Sequence, residues 1–231
     1  LVEGSRLGGI AVVDPEDDAE PGGWRDYSGA FDPLFQLEDF SHRALVVVNQ
    51  EFAVQSHLLS RSFMLCVAQR VGDAPSAELG RAQWTGIGAL TAERLRRAMK
   101  IQGDGIEDVA KIFQIHPCFH PRTYLDFRVE ITGSRRARLT LADCPALAEG
   151  DCYSWFAGLG PEAHPALDAI ARAVNPRAHC HPVSAGEEGT LAWEVEIDPA
   201  REPLPPPAEL QLAKISRGAN FEFERRRNLR V

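Results

Sequence analysis

Most of the residues in this sequence that could do chemistry lie between Ile115 and Val183. This stretch contains four of the five cysteines and five of the seven histidines. Thiolates and imidazoles are the ligands that zinc and iron prefer in proteins. A fold that joins the three donor-rich pieces would therefore place these atoms at one end of one domain. The pieces are Ile115–Pro121, Asp143–Cys152 and Ala178–Pro182.

The first of these pieces has the spacing of a chelating motif. His116, Cys118 and His120 stand at alternate positions. An extended backbone would point all three side chains to the same side. We therefore expect His116 and His120 to be metal ligands, and leave the role of Cys118 open.

The other two pieces carry further donors at less regular spacing. Cys144 and Cys152 are eight residues apart, which is farther than the Cys-x-x-Cys spacing of a structural zinc site. In a regular strand the imidazoles of His179 and His181 share one side, while Cys180 faces the other. The density of donors, rather than a standard zinc signature, is what predicts a metal centre.

These donors predict a metal-assisted hydrolase of a small organic substrate. A bound zinc or iron ion would lower the pKa of a water ligand toward ~7 and so supply hydroxide. Glu51 or His57, on a predicted helix, would then move the proton as catalytic acid or base. The ligands that we expect for zinc or iron are His116, His120, Cys144, His179, Cys180 and His181.

Two other interpretations of these residues stay open. Cys144 or Cys180 is a nucleophile that a nearby histidine activates, or the cysteines are ordinary buried residues and the histidines lie at surface turns. In the second case Glu51 and His57 have no chemical role. The chain has no Gly-x-Ser-x-Gly elbow, phosphate loop or Gly-x-Gly-x-x-Gly motif, so serine hydrolases and nucleotide-dependent enzymes are not expected.

The first half of the chain has helical periodicity. Apolar residues between Leu37 and Val71 recur at three- and four-residue intervals, which predicts a long amphipathic helix. Further helices are predicted after Pro75, over Thr91–Lys100 and over 105–115, where an Asp-x-x-Glu capping box begins the last one. The apolar residues of the long helix are Leu45, Val48, Phe52, Leu59, Phe63 and Cys66.

The second half alternates with a period of two, which is typical of strands. Residues 124–132 and 137–142 flank a Gly-Ser-Arg-Arg turn and predict a β-hairpin. An amphipathic helix is expected from Pro161, a strand over Leu191–Ile197 and a short last helix over Glu209–Ser216.

These elements predict an α+β fold, in which a helical N-terminal half packs on one face of a mainly antiparallel sheet. Residues 1–35, rich in Gly, Asp, Pro and Glu, are expected to form an irregular arm. A single α+β domain would cover residues 36–200, and a Pro-rich linker and tail would cover residues 201–231.

The composition is that of a globular chain with an acidic surface. The 231 residues are 44% apolar, enough for a core, and no apolar run approaches the ~20 residues of a membrane span. A net charge of −8 argues against nucleic-acid and anionic-membrane partners. Five sparse cysteines predict free thiols in a reducing, cytoplasmic setting. We expect a small-molecule substrate and a homo-oligomer.

Short segments between Leu37 and Ile197 carry a family resemblance. They are Leu37–Ser41, Trp84 with Glu93–Lys100, Lys111–Pro117, Cys144 and Cys180–Val183. Through them the chain resembles the bacterial 2-amino-thiazoline-4-carboxylate hydrolase-like family, which is similar in layout to vinyl-reductase-type small-molecule-binding domains. The resemblance implies an α+β fold, a pocket between helices and sheet, and hydrolysis of a C–N or C–S bond in a small heterocycle.

Two other functions stay open beside the hydrolase. The chain is a non-catalytic small-molecule-binding module, with an apolar pocket that the cysteines line, or it is a subunit of a larger enzyme complex. In a complex, the N-terminal arm and the Pro-rich tail would be contact segments.

Overall fold

The structure is a computed structural model that describes residues 27–149, 153–160, 162–187 and 189–222. The chain divides into two compact units, Leu1–Glu51 and Phe52–Val231. Most of the predicted arm lies outside the described residues, and so does Cys152.

The first unit contains a small aromatic cluster and the start of a long helix. The ring centroids of Tyr27 and Phe35 lie 4.4 Å apart, and those of Phe35 and Phe40 lie 4.9 Å apart. Helix α1, His42–Val71, begins in this unit and ends in the second. The predicted long helix is therefore present.

The described part of the second unit contains the remaining helices, which are α2 (Asp73–Ala98), α3 (Ile106–Ile115), α4 (Pro165–Arg172) and α5 (Ala208–Ala213). Helix α2 is one helix where the sequence predicted two, because nothing at Thr91 interrupts its backbone hydrogen bonding. Helix α3 occurs as predicted, but its N-cap is Gly105 and no side chain caps it. The predicted capping box is wrong because the helix begins one residue later than the box requires.

The sheet has four antiparallel strands in the order β1-β2-β4-β3. Strands β1 (Phe127–Gly133) and β2 (Arg136–Leu141) form the predicted hairpin, and β4 (Leu191–Ile197) has the predicted bounds. Strand β3 (Ala178–Val183) was not predicted as an element. It lacks a run of β-branched residues and contains Pro182, which is tolerated because β3 lies at the edge of the sheet.

One face of the sheet is buried beneath α3 and α4, and α2 packs on α4. Alternate residues of the inner strands supply this face, as the period-two pattern requires. The predicted α+β fold with an antiparallel sheet is confirmed. The buried residues of the sheet include Phe127, Ala137, Leu139, Leu141, Ala178, Cys180, Trp193 and Val195.

The part of α1 that lies in the second unit buries a different face from its apolar stripe. Its buried residues are Ala53, His57, Met64 and Ala68. The stripe residues Phe52, Leu59 and Phe63 are exposed instead. Periodicity therefore located the helix correctly, but it does not identify the face that packs.

No helix within the described residues combines the length and apolar character that a membrane crossing requires.

Helix α2 approaches α5 closely at Gly86. A Cβ atom placed on this glycine would lie 2.5 Å from the carbonyl oxygen of Glu209, which is closer than real Cβ contacts. On Gly80 of the same helix, a Cβ atom would lie 3.6 Å from Cε of Met64, an ordinary contact distance. The two glycines therefore form a matched pair.

We expect Gly86→Ala to lower the free energy of unfolding by about 1–3 kcal/mol, because the added methyl group forces α5 away from α2. Gly80→Ala should leave it unchanged or raise it by up to about 1 kcal/mol, because alanine favours the helix. Urea unfolding followed by circular dichroism measures both. Equal stability of the two variants would contradict the close approach.

Candidate functional site

The predicted metal ligands do not form one centre. Among the residues that the structure describes, no group of three or more His, Cys, Asp and Glu side chains is placed to hold a metal ion. Cys118, Cys144 and Cys180 are buried free thiols. The histidines are not available as ligands of one ion because of their positions and their hydrogen bonds.

His116 is a buried capping residue rather than an open ligand. Its Nε2 atom donates to the carbonyl oxygen of Gly88 at 3.1 Å, and its Nδ1 atom accepts from the backbone N–H of Cys118 at 3.3 Å. The chain from Pro117 to Phe119 forms a 3₁₀ turn, not the extended backbone that the spacing suggested. Both ring nitrogens of His116 are therefore already used within the protein.

Burial also keeps the His116 ring neutral. Loss of hydration is the largest effect and lowers the pKa of His116 from 6.5 to about 4, against the hydrogen bond to Gly88. A neutral ring suits the cap, because its Nδ1 lone pair must stay free to accept the Cys118 N–H.

His120 and His57 bind backbone groups as well. Nε2 of His120 donates to the carbonyl oxygen of Gln114 at 2.9 Å. The carbonyl oxygen of His120 in turn accepts from Nε2 of the buried His57 at 3.0 Å. Burial lowers the pKa of His57, and its ring lies 5.8 Å from that of Tyr124. Glu51 is an exposed residue of the first unit.

The histidines of β3 lie on the outer face of the sheet. The rings of His179 and His181 stack with centroids 5.5 Å apart. Their Nε2 atoms lie 4.0 Å and 3.9 Å from carboxylate oxygens of Glu196 and Glu194, respectively. Cys180 is buried, so the prediction that the imidazoles and this thiol face opposite ways is confirmed.

The buried thiols of Cys180 and Cys118 are poor nucleophiles. Burial raises the pKa of Cys180, and the nearby Asp168 carboxylate raises it further. The same carboxylate accepts the backbone N–H of Cys180 at 3.2 Å. Burial also raises the pKa of Cys118 well above its ordinary value. Since the thiolate is the reactive form, neither sulfur is activated at neutral pH.

The structure instead brings together residues for which the sequence carried no prediction of chemistry. A cavity of about 200 Å³ lies between α1, α2 and the segment 153–164. The indoles of Trp84 and Trp155 meet there with ring centroids 5.2 Å apart. The lining residues are Met64, Ser76, Ala77, Gly80, Arg81, Trp84, Tyr153, Ser154, Trp155, Gly158 and His164.

His164 repeats the capping geometry of His116. It precedes Pro165, the first residue of α4, and its Nδ1 atom accepts from the backbone N–H of Ala166 at 3.2 Å. Burial, helped by the charge of Arg81, lowers the pKa of His164 to about 4. The repeated His-Pro pair at the start of a helix or turn is the sequence signal for this role, because proline suits the first helical position.

No family model matches the chain, and no curated protein matches it. Among solved structures, the chain is similar to a trafficking protein particle complex subunit 3 from Naegleria fowleri covalently bound to palmitic acid. The two are 14% identical, with a TM-score of 0.37 over 66% of this chain and 98% of that chain. At that TM-score the similarity carries no argument about partners or ligands.

The predicted metal-assisted hydrolase is wrong. The donors that were to hold the ion are not gathered into a metal site within the described residues. The predicted zinc centre built from these donors is wrong for the same reason. Binding of zinc or iron by individual residues, and the family resemblance, stay predictions.

We expect acid to destabilise the protein through its buried histidines. The unfolded chain binds a proton at His116 near pH 6.5, whereas the folded chain binds it near pH 4. The contribution of the neutral His116 ring to the free energy of unfolding is therefore fully present above pH 6.5. It is lost as the pH is lowered toward 4. His116 alone accounts for about 2–3 kcal/mol between about pH 7 and 4.5.

Urea unfolding at both pH values tests this expectation. His116→Asn keeps an acceptor for the Cys118 N–H but cannot titrate, so its stability should depend less steeply on pH than that of the wild type. His42→Asn, at an exposed position, is the control and should keep the wild-type slope. An unchanged slope in His116→Asn would show that this ring is not neutral and buried.

The thiols should differ in reactivity according to their burial. Cys66 is exposed, so iodoacetamide should label it in the native protein within minutes. Cys118 and Cys180 should stay unlabelled until denaturant is added, because both are buried and protonated. Mass spectrometry of peptides measures each site. Rapid native labelling of Cys180 would restore the nucleophile interpretation.

Proposed function

We propose that this chain is a non-catalytic subunit that assembles with a second copy of itself through one face of α1. The observation that carries this proposal is a row of large apolar side chains exposed on that helix. The exposed fractions are 53% for Phe52, 70% for Leu59 and 58% for Phe63. Single exposed apolar residues are ordinary, but a row of them on one helix face is typical of an interaction surface.

The α1 face, defined by Phe52, Leu59 and Phe63, also lacks charge. Arg61 is the only charged residue between Phe52 and Cys66. It lies about 180° around the helix from Phe52, since each residue advances by about 100°. A solvated face would carry charged residues, whereas the centres of protein interfaces are depleted of them.

The contacts that α1 makes within the second unit explain why it needs a partner. Between Phe52 and Val71 its buried residues are Ala53, His57, Met64 and Ala68. Two of these four are alanines, which bury little apolar area. Met64 is the one large apolar side chain among the four, whereas Phe52, Leu59 and Phe63 are exposed. The most apolar face of the helix is therefore left for another molecule.

A second copy fits the α1 face because the face is nearly symmetric along the helix. Antiparallel pairing about a point between His57 and Leu58 would place Phe52 of one copy level with Phe63 of the other, twice. It would also place the small Ser56 opposite Leu59. Such a contact is closed and self-complementary, and alternation of large and small side chains lets helices pack at 8–10 Å.

The area available supports a weak dimer. Each of the three large side chains has roughly 100 Å² to bury, so two copies gain on the order of 15 kcal/mol at about 25 cal/mol per Å². Association itself costs about 4–15 kcal/mol. The net gain is therefore between about 0 and 11 kcal/mol, and a micromolar dissociation constant, about 8 kcal/mol, lies within this range.

The chemistry of the other side chains favours a structural role over a catalytic one. The imidazoles of His57, His116 and His120 bind backbone carbonyl groups, and burial raises the pKa values of Cys118 and Cys180. Free thiols such as these also favour a cytoplasmic setting. We therefore place the protein in a reducing compartment as an assembly subunit.

We expect Leu59→Glu to shift the protein from dimer to monomer, with the dissociation constant raised at least about tenfold, since each copy would bring a carboxylate into the contact. Light scattering after gel filtration, at about 1–200 µM protein, measures the mass. Leu212→Glu is the matched control, because Leu212 is also 70% exposed but lies on α5.

Leu212→Glu should dimerise like the wild type. A monomeric wild type at the highest concentration would contradict self-association, and would leave another protein as the partner of α1. Equal masses of the two glutamate variants would show that α1 is not the contact.

A further inference from the structure

The cavity between α1, α2 and the segment 153–164 has apolar walls and polar residues in its lining. Met64 is 3% exposed, Trp84 9% and Trp155 6%, so these three side chains form largely buried walls. Its polar lining residues include the exposed Arg81 and the buried His164. None of the described residues that line it is a carboxylate.

His164 presents a hydrogen-bond donor. Its Nδ1 atom accepts the Ala166 N–H, so in the neutral ring the proton must be on Nε2. A Cβ atom placed on Gly158, another lining residue, would lie 3.7 Å from this Nε2 atom. That is an ordinary contact distance, so the glycine leaves the Nε2 atom without a side-chain contact from position 158.

Two further donors in the lining lack acceptors among the described residues. The indole Nε1 of Trp155 is buried and has no hydrogen-bond partner in that part of the chain. The guanidinium of Arg81 makes no hydrogen bond or ion pair with the described residues, although its charge is close enough to lower the pKa of His164. A buried donor without an acceptor is unfavourable, and an unpaired guanidinium at a cavity suits a planar anion.

We propose that this cavity binds a small aromatic carboxylate. The ring lies against Trp84, Trp155 and Met64, and the carboxylate accepts from Arg81 and from Nε2 of His164. A cavity of about 150 Å³ holds a benzene ring, so 200 Å³ accommodates one ring with a carboxylate. The site is separate from the α1 face and does not depend on dimer formation.

Isothermal titration of the full chain with benzoate and with phenylacetate tests the site. We expect one molecule bound per chain, with a dissociation constant between about 0.1 and 5 mM, which is realistic for a ligand of this size. Benzyl alcohol keeps the ring but lacks the charge, and acetate keeps the charge but lacks the ring. Each should bind at least about tenfold more weakly than benzoate. Benzyl alcohol cannot form the charged hydrogen bonds to Arg81 and His164, and acetate has no ring to contact the indoles.

Arg81→Met should weaken benzoate binding at least about tenfold, because it removes the guanidinium and keeps an unbranched side chain. Arg97→Met is the matched control, since Arg97 is also an exposed arginine of α2 but lies outside the lining. It should bind benzoate like the wild type. Both positions are exposed, so both variants should fold, which their urea midpoints will verify.

His164→Asn keeps an acceptor for the start of α4 but removes the Nε2 donor, and should weaken benzoate binding without changing the binding of benzyl alcohol. Leu59→Glu should bind benzoate like the wild type, which separates this site from the proposed dimer. The proposal is overturned if neither carboxylate binds at about 10 mM, or if Arg81→Met binds benzoate as tightly as Arg97→Met.

Discussion

The second unit depends on the close approach of other elements to the middle of α2. That approach is possible because two positions on the helix have no side chain. At Gly86 the α5 backbone comes within a distance that excludes a methyl group, and at Gly88 a Cβ atom would lie 3.2 Å from Cγ1 of Ile170 on α4. The carbonyl oxygen of Gly88 also accepts from His116. The missing side chains at Gly86 and Gly88 therefore let α5 and α4 pack closely on α2. This packing fixes α2, which carries Arg81 and Trp84 at the cavity.

The histidines show how burial changes the meaning of a residue type. His116 and His164 each precede a proline, and each uses Nδ1 to accept a backbone N–H at the start of a turn or helix. Burial removes the proton that would block this acceptor. When Nδ1 accepts a backbone N–H and Nε2 carries the proton, the imidazole has no lone pair left for a metal. These histidines suggest a metal centre by their residue type, but they hydrogen-bond to the backbone instead. His164 differs only in that its second nitrogen meets a cavity.

Helix α1 shows that an apolar stripe and a buried face are separate properties. The buried side in the second unit consists of Ala53, His57, Met64 and Ala68, whereas Phe52, Leu59 and Phe63 of the stripe are exposed. The apolar stripe of such a helix suits a contact with another molecule. Self-association through α1 and ligand binding in the cavity are therefore compatible, because the helix turns different faces to the two.

The sequence by itself determined the classes and places of most elements. The α+β fold, the long helix α1, the hairpin and the strand Leu191–Ile197 follow from local periodicity, which depends only on neighbours in the chain. It did not determine which atoms meet. His116 loses its ligand character through Gly88, which precedes it by 28 residues, and the cavity joins Arg81 of α2 to His164. These contacts depend on long-range packing and on burial. Only the tertiary structure decides them, because hydration, and with it the protonation of each imidazole and thiol, is a property of the folded surroundings.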